Sequence, residues 1–244
     1  MLNWNDHRVD KSDSSSMGTT YHKLGYVIIR GLFDSNGVDN LRRKIVEIFR
    51  NNPDQRILFS REIIEKIPEV FDVQRDERLI AVLKQILGQN FQYINDFQAQ
   101  KNMSRVKRAT GWHDDVNSQY LLRYVNKNIN YPIYRVLKVG IYLQGGKSLY
   151  GSSVDVIPRS HRMPRKARMI LTRLLNHPLS AGAMSTLFSK ALDKTISAGD
   201  AIVFDANLLH ASSIATREGL KDLNSYRNHA FYSTPENSKL TIYF

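Results

Sequence analysis

The chain has 244 residues, 42% of them hydrophobic, enough to bury one core and to exclude global disorder. No apolar run approaches the roughly 18 residues that a membrane span needs, and the polar N-terminus shows no apolar signal-peptide core. The complete lack of cysteine excludes disulfides, thiolate metal sites and cysteine nucleophiles, and a cytoplasmic location fits it. The formal net charge is +12, and all of the excess lies between Lys101 and Arg173, where fifteen Lys and Arg face three acidic residues. Such a basic field raises the on-rate of an anionic partner: a phosphorylated metabolite, an acidic glycan, a lipid headgroup or a nucleic acid. A solvated basic face without a specific ligand is the competing reading.

Residues 1–18, with the run Lys11-Ser12-Asp13-Ser14-Ser15-Ser16, read as a flexible polar leader, and order is expected from near Tyr21. Residues 19–244 then form a single domain. Tyr26-Val27-Ile28-Ile29 reads as a short buried strand closed by Gly31. Val38 to Arg50 has a helical stripe of Val38, Leu41, Ile45 and Ile48, with Asp34 or Ser35 as cap and Pro53 beyond its end. A second helix opens at Ser60 and is interrupted by Pro68; a third spans Arg78 to Leu87 and stops at Gly88. Beyond Gly88 the pattern changes to strands at 91–100, 135–144, 154–157, 201–205, 227–233 and 239–244, rich in Tyr, Val, Ile and Phe. A helical insertion at about 162–194, split at Pro178, interrupts them. The expected class is mainly β with flanking helices: a jelly-roll core with the N-terminal helices packed on one sheet.

The chemistry is concentrated in Gly111-Trp112-His113-Asp114-Asp115. On an extended chain His113 and Asp115 share a face and Asp114 points away. One imidazole and one carboxylate make two thirds of the facial triad that holds non-haem Fe(II) with open positions. The third donor has to come from elsewhere. His210, just after the strand pattern Ala201-Ile202-Val203-Phe204-Asp205, is the best placed. Arg227 starts the next strand, and a guanidinium inside a barrel needs an anion, for which its planar fork suits a carboxylate. A protein salt bridge would serve the same need.

Four segments in order resemble the phytanoyl-CoA dioxygenase-like family of Fe(II)/2-oxoglutarate-dependent oxygenases. They are Tyr21 to Phe33, Trp112-His113-Asp114-Asp115, Val156-Ile157-Pro158-Arg159-Ser160-His161-Arg162, and Gly199-Asp200 through His210-Ala211-Ser212 to Arg227. The resemblance implies a double-stranded β-helix (cupin-like) core. It implies His113, Asp115 and His210 as iron ligands and Arg227 as clamp on the distal carboxylate of 2-oxoglutarate. It further implies Ser212 as a hydroxyl contact to that carboxylate, Lys101 as a second approach to the cosubstrate, and His161 as structural. Fe(II), 2-oxoglutarate and O2 would be the reactants, with succinate and CO2 released and a C–H bond hydroxylated. Desaturation, ring closure and epimerisation are the other outcomes the family reaches. Arg159 stands where the family's loop has glycine, and the gap from His210 to Arg227 is long, leaving Arg217 as an alternative clamp.

An anionic small molecule or conjugate is the expected substrate, with the basic stretch 162–173 as its lid. On that reading, charge reversal of Arg165 and Arg168 raises KM. Alternatively, that stretch is an amphipathic helix packing Met169, Ile170 and Leu174 on the barrel. A three-His site with His161, a non-catalytic metal-binding jelly roll, and a nucleic-acid binder compete with the oxygenase reading. Nucleic acid is disfavoured as a partner, because no recognised nucleic-acid motif is present.

Overall fold

Alternation between two faces organises the sheet. The computed structural model describes residues 8–9, 15–52, 57–93, 97–102, 111–117, 135–143, 154–192, 196–212 and 239–243. Arg8–Val9 (β1) runs parallel to Tyr26–Ile29 (β2), and Ile57–Phe59 (β3), Gln98–Asn102 (β4) and Leu137–Tyr142 (β5) follow. Val154–Val156 (β6), Lys190–Ala191 (β7), Ala201–Asp205 (β8), His210–Ser212 (β9) and Lys239–Tyr243 (β10) complete the strands. Seven strands form one sheet in the order β1-β2-β8-β5-β10-β4-β3, and β7-β6-β9 form a second; every pair except β1–β2 is antiparallel.

All four residues of β2 are buried because the strand has a partner layer on each side. Val27 and Ile29 face one way with Val139, Ile141, Ala201 and Val203, into a core shared with the helices. Tyr26 and Ile28 face the other way with Tyr142, Ile202 and Phe204, against Val154 and Val156 of the smaller sheet. Two-sided burial is why these strands read as continuous apolar runs.

Five helices cover the first face: Ser15–Leu24 (α1), Ser35–Asn51 (α2), Ser60–Lys66 (α3), Val70–Gln74 (α4) and Glu77–Leu87 (α5). Asp34 caps α2 by accepting from the Gly37 amide at 2.7 Å, and the apolar stripe Val38, Leu41, Ile45, Ile48 is buried. Asp76 caps α5, and Gly88 ends it at φ 91°, a left-handed conformation that glycine adopts without a Cβ clash. Pro68 separates α3 from α4. The insertion is a helical hairpin, Arg165–Asn176 (α6) and Ala181–Phe188 (α7), broken around Pro178.

Several expectations are corrected. Helices hold more of the described residues than strands do, so the chain is not mainly β, and the two sheets do not form a clearly closed jelly roll. The strands of the second sheet are only two or three residues long, and the expected strand 227–233 lies outside the described residues. Order begins before Tyr21: α1 starts at Ser15 and buries Met17, so the polar leader does not extend to residue 18. The strand expected from Phe91 starts at Gln98, because Phe91 and Tyr93 stack edge to face and pack on the helical core. Among the described residues, no helix is long and apolar enough to cross a membrane.

Candidate metal centre

His210 is the first residue of β9, where Val156 pairs with it. The turn that delivers it is bonded at every step. Asp205 accepts from the Tyr21 hydroxyl at 2.7 Å and from the Asn207 amide at 2.8 Å, and Leu208 N donates to Asp205 O. Burial, reinforced by the Asp205 carboxylate, pushes the Tyr21 phenol well above its ordinary range, so it remains a donor. Ser160 accepts from the Leu209 amide at 2.8 Å and donates to Ile157 O, which ties the Ser-His loop to the residue before His210. Arg159 occupies φ 70°, a left-handed conformation that favours glycine, and its amide donates to Leu24 O.

His113 meets His210 through the backbone. Each amide donates to the other's carbonyl at 3.0 Å, an isolated antiparallel bridge. Extended alternation is therefore not what brings His113 and Asp115 together. The chain turns into a 3-10 helix at Asp115–Asn117, and the Asp115 amide is held by Ala206 O at 2.8 Å. The outcome matches the expected pairing by a different backbone path.

The three side chains converge. One ligand atom from each of His113, Asp115 and His210 lies within 4.8 Å of the others. His113 Nε2 is 3.7 Å from Asp115 Oδ1, and His210 Nε2 is 3.5 Å from Asp115 Oδ2. Both Nδ1 atoms point the opposite way, to Gly111 O at 2.8 Å and Leu208 O at 2.9 Å. A carbonyl only accepts, so each Nδ1 carries a hydrogen, and in the neutral ring that leaves Nε2 as the lone-pair donor. Burial pushes His210 down to about 4. Burial alone would raise the Asp115 carboxyl, but the His210, Lys138 and His113 groups around it outweigh this and hold it below its usual range. At neutral pH the site therefore holds a neutral His210 and an ionised Asp115, the protonation state a divalent ion needs. Two imidazole nitrogens and one carboxylate are also the donor set of the facial triad.

The remaining expected residues fall unevenly. Ser212 lies two residues after His210 in β9 and so shares its face of the strand. Lys101 lies in β4, paired with Leu240. Arg227 and Arg217 lie outside the described residues. His161 is not part of the cluster: it packs against Gly25, whose φ of 89° and lack of a Cβ leave room for its ring. The three-His alternative accordingly finds no support here.

Sequence reasoning missed a group of supporting residues. Lys138, in register with Phe204 on the inter-sheet face, places Nζ 3.3 Å from Asp115 Oδ2. Phe204 packs its ring 5.0 Å from that of His210. Asp114 does point away from the triad, but into a buried ion pair with Arg168 of α6, Nε donating to Oδ2 at 3.1 Å. Arg168 also donates to Met163 O and Asn207 Oδ1. At the far end of α6, Asn176 accepts from the Trp112 amide at 2.9 Å and donates to its carbonyl at 2.8 Å. One helix thus fixes both segments that carry the triad. This corrects the reading of Arg168 as a substrate-facing lid residue, and the helix does not pack Met169, Ile170 and Leu174 inward: those are exposed, and Arg168, Leu171 and Leu175 are buried. The signal was present in the three-to-four-residue spacing of 168, 171 and 175, which an arginine at its first position disguised.

The chain matches the family described as Phytanoyl-CoA dioxygenase (PhyH) over residues 21–216. No curated protein matches it in sequence. Among solved structures it is similar to the non-heme alpha ketoglutarate dependent carbocyclase SnoK from nogalamycin biosynthesis, at TM-score 0.63 and 13% identity over 97% of this chain and 83% of that one. It is similar to HygX from Streptomyces hygroscopicus with nickel and 2-oxoglutarate bound, at TM-score 0.62 and 14% identity over 93% and 83%. EctD from S. alaskensis with 2-oxoglutarate and 5-hydroxyectoine aligns at TM-score 0.60 and 19% identity over 99% and 77%. At these identities the structural likenesses establish the fold, whereas the family match spans most of the sequence, including the segments that carry His113, Asp115 and His210. The chain belongs to the phytanoyl-CoA dioxygenase family and is an oxidoreductase.

Proposed function

We propose that the protein is an Fe(II)- and 2-oxoglutarate-dependent dioxygenase that hydroxylates a C–H bond of an anionic small molecule or conjugate, with His113, Asp115 and His210 as the iron ligands. The observation that carries this reading is the convergence of two imidazole Nε2 atoms on one buried carboxylate. HygX with nickel and 2-oxoglutarate bound, and EctD with bound Fe in one structure and 2-oxoglutarate in another, support the same cofactor pair here. Iron with 2-oxoglutarate and O2 supplies the oxidant that turns R–H into R–OH as 2-oxoglutarate becomes succinate and CO2.

The chain's own residues hold and orient. The Gly111 and Leu208 carbonyls fix both imidazole tautomers, and Lys138 holds one oxygen of Asp115. Ser212, on the His210 face of β9, is the proposed hydroxyl contact to the distal carboxylate of 2-oxoglutarate. Arg227 is the proposed clamp on the same group and Lys101 a further contact to the cosubstrate. The basic excess over 101–173 supports an anionic substrate, and the lack of cysteine supports a cytoplasmic site of action.

The test is anaerobic addition of Fe(II) and 2-oxoglutarate to the metal-free protein, read by the visible charge-transfer absorption of the chelate. The band is expected for the native chain and absent for His210→Ala. Metal binding without the band in the native chain would move the reading to a non-catalytic metal-binding protein.

A further inference from the structure

The hairpin of α6 and α7 turns its inner face to the metal centre and a different surface to solvent. Ile170, Met169 and Leu174 on α6 are 59%, 41% and 42% exposed, Leu179 in the connection is 91% exposed, and Leu187 and Phe188 at the end of α7 are 74% and 47% exposed. Six large apolar side chains on about 24 residues of one hairpin exceed the scattered exposure normal for a soluble surface. Their surroundings are charged with one sign. From Val156 to Leu192 the sequence has seven Lys and Arg and no Asp or Glu. Arg168 is consumed by Asp114 inside, while Arg162, Arg165, Lys166 and Arg173 are exposed.

We propose that this hairpin is a docking surface for an anionic lipid bilayer, with the apolar side chains entering the headgroup–acyl boundary and the basic residues meeting the lipid phosphates and carboxylates. Exposed Leu, Ile and Phe beside Lys and Arg, on helices too short to span, are the composition of an element that lies in a membrane interface. Charge selects this occupant over the others. A second copy docking the same face by two-fold symmetry would set Arg165, Lys166 and Arg173 against their own equivalents with no acid on the hairpin to pair them. A nucleic acid would satisfy the cations and leave the six apolar side chains without a partner. A closed lid over the metal centre would need the opposite face, which is occupied by Arg168, Leu171 and Leu175.

Flotation of the full-length protein with vesicles of phosphatidylcholine alone, or carrying about one third phosphatidylserine, tests the proposal. The native chain is expected to bind the anionic vesicles at least about tenfold better than the neutral ones, given roughly fivefold per basic residue near the surface. Leu179→Asp with Leu187→Asp is expected to reduce that binding about tenfold or more. These positions are exposed, so the thermal midpoint should stay put. Arg165→Ser with Lys166→Ser should lower the preference for anionic vesicles at least about fivefold, Arg162 and Arg173 remaining in place. No vesicle binding by the native chain overturns the proposal. So does binding that is indifferent to Leu179→Asp/Leu187→Asp but abolished by salt, which identifies a general polyanion site. A dimer in light scattering that this double variant dissociates overturns it in favour of self-association.

Discussion

Arg159 is held at φ 70°, where a side chain with a Cβ is strained by about 1–2 kcal/mol. Glycine would relieve the strain and give back about 0.5–1 kcal/mol in unfolded-state entropy. The relief exceeds the entropy loss, so Arg159→Gly is expected to stabilise the protein by about 0.5–1 kcal/mol and raise the melting midpoint by about 2 °C. Thermal unfolding of the two proteins checks it; an unchanged or lower midpoint would mean that the exposed guanidinium gains something the backbone argument omits. At the same scale Gly25 runs the other way. A Cβ there would lie 2.4 Å from His161 Nδ1 and 2.8 Å from a Leu208 methyl, and φ is 89°. Gly25→Ala should therefore destabilise strongly, by about 2 kcal/mol or more. It should also loosen the turn that delivers His210, read as weaker metal-induced stabilisation.

At the scale of elements, α6 is the part whose role the structure changes most. Its Arg168–Asp114 pair is buried, with 7% and 2% of the two side chains exposed. Removing one partner strands the other, so Arg168→Met is expected to cost about 3–5 kcal/mol. Arg168→Met combined with Asp114→Leu should recover much of that loss, because two apolar groups replace a desolvated pair. A double-mutant cycle on urea midpoints measures the coupling, and strict additivity would show that the pair does not act as one unit. Charge reversal at Arg168 is for the same reason a folding experiment rather than a probe of substrate charge. Helix boundaries near here and along α2 and α5 were legible in the sequence, since caps, glycine stops and proline breaks act within a few residues. The three side chains that converge, His113, Asp115 and His210, were legible too, through motif order. The direction α6 faces was not, because an arginine reads as exposed until its buried partner 54 residues away is known. Lys138 was hidden likewise: its nearness to Asp115 is a product of β5 lying beside β8, and no local pattern encodes strand order.

For the molecule as a whole, the His113–Asp115–His210 cluster links fold stability to pH. In the folded chain His210 is pushed down to about 4, against an ordinary value of 6.5. Between those values the unfolded chain binds a proton that the folded chain refuses, so stability is complete above about pH 6.5 and falls as the pH drops toward 4. At about 1.4 kcal/mol per unit the loss is on the order of 3 kcal/mol, a large share of the roughly 5–15 kcal/mol that holds a domain together. Burial lowers His161 as well, which adds loss in the same direction. The Asp115 carboxyl, also held low, contributes only further down, below its ordinary 3.8. Self-repulsion of a chain already at +12 grows over the same range and would by itself give some acid sensitivity. His210→Ala separates the two. The metal-free native protein should lose its melting midpoint steeply from pH 6.5 to 4, while the alanine variant keeps the repulsion and shows a shallower slope. Loading the native protein with Ni(II), a redox-silent probe of the proposed ligand set, should raise the midpoint at neutral pH and steepen its fall on acidification, since the ion keeps protons off the folded chain's ligands while the unfolded chain still takes them up. Equal slopes in the native and alanine proteins would show that His210 is not the group that couples acid to unfolding.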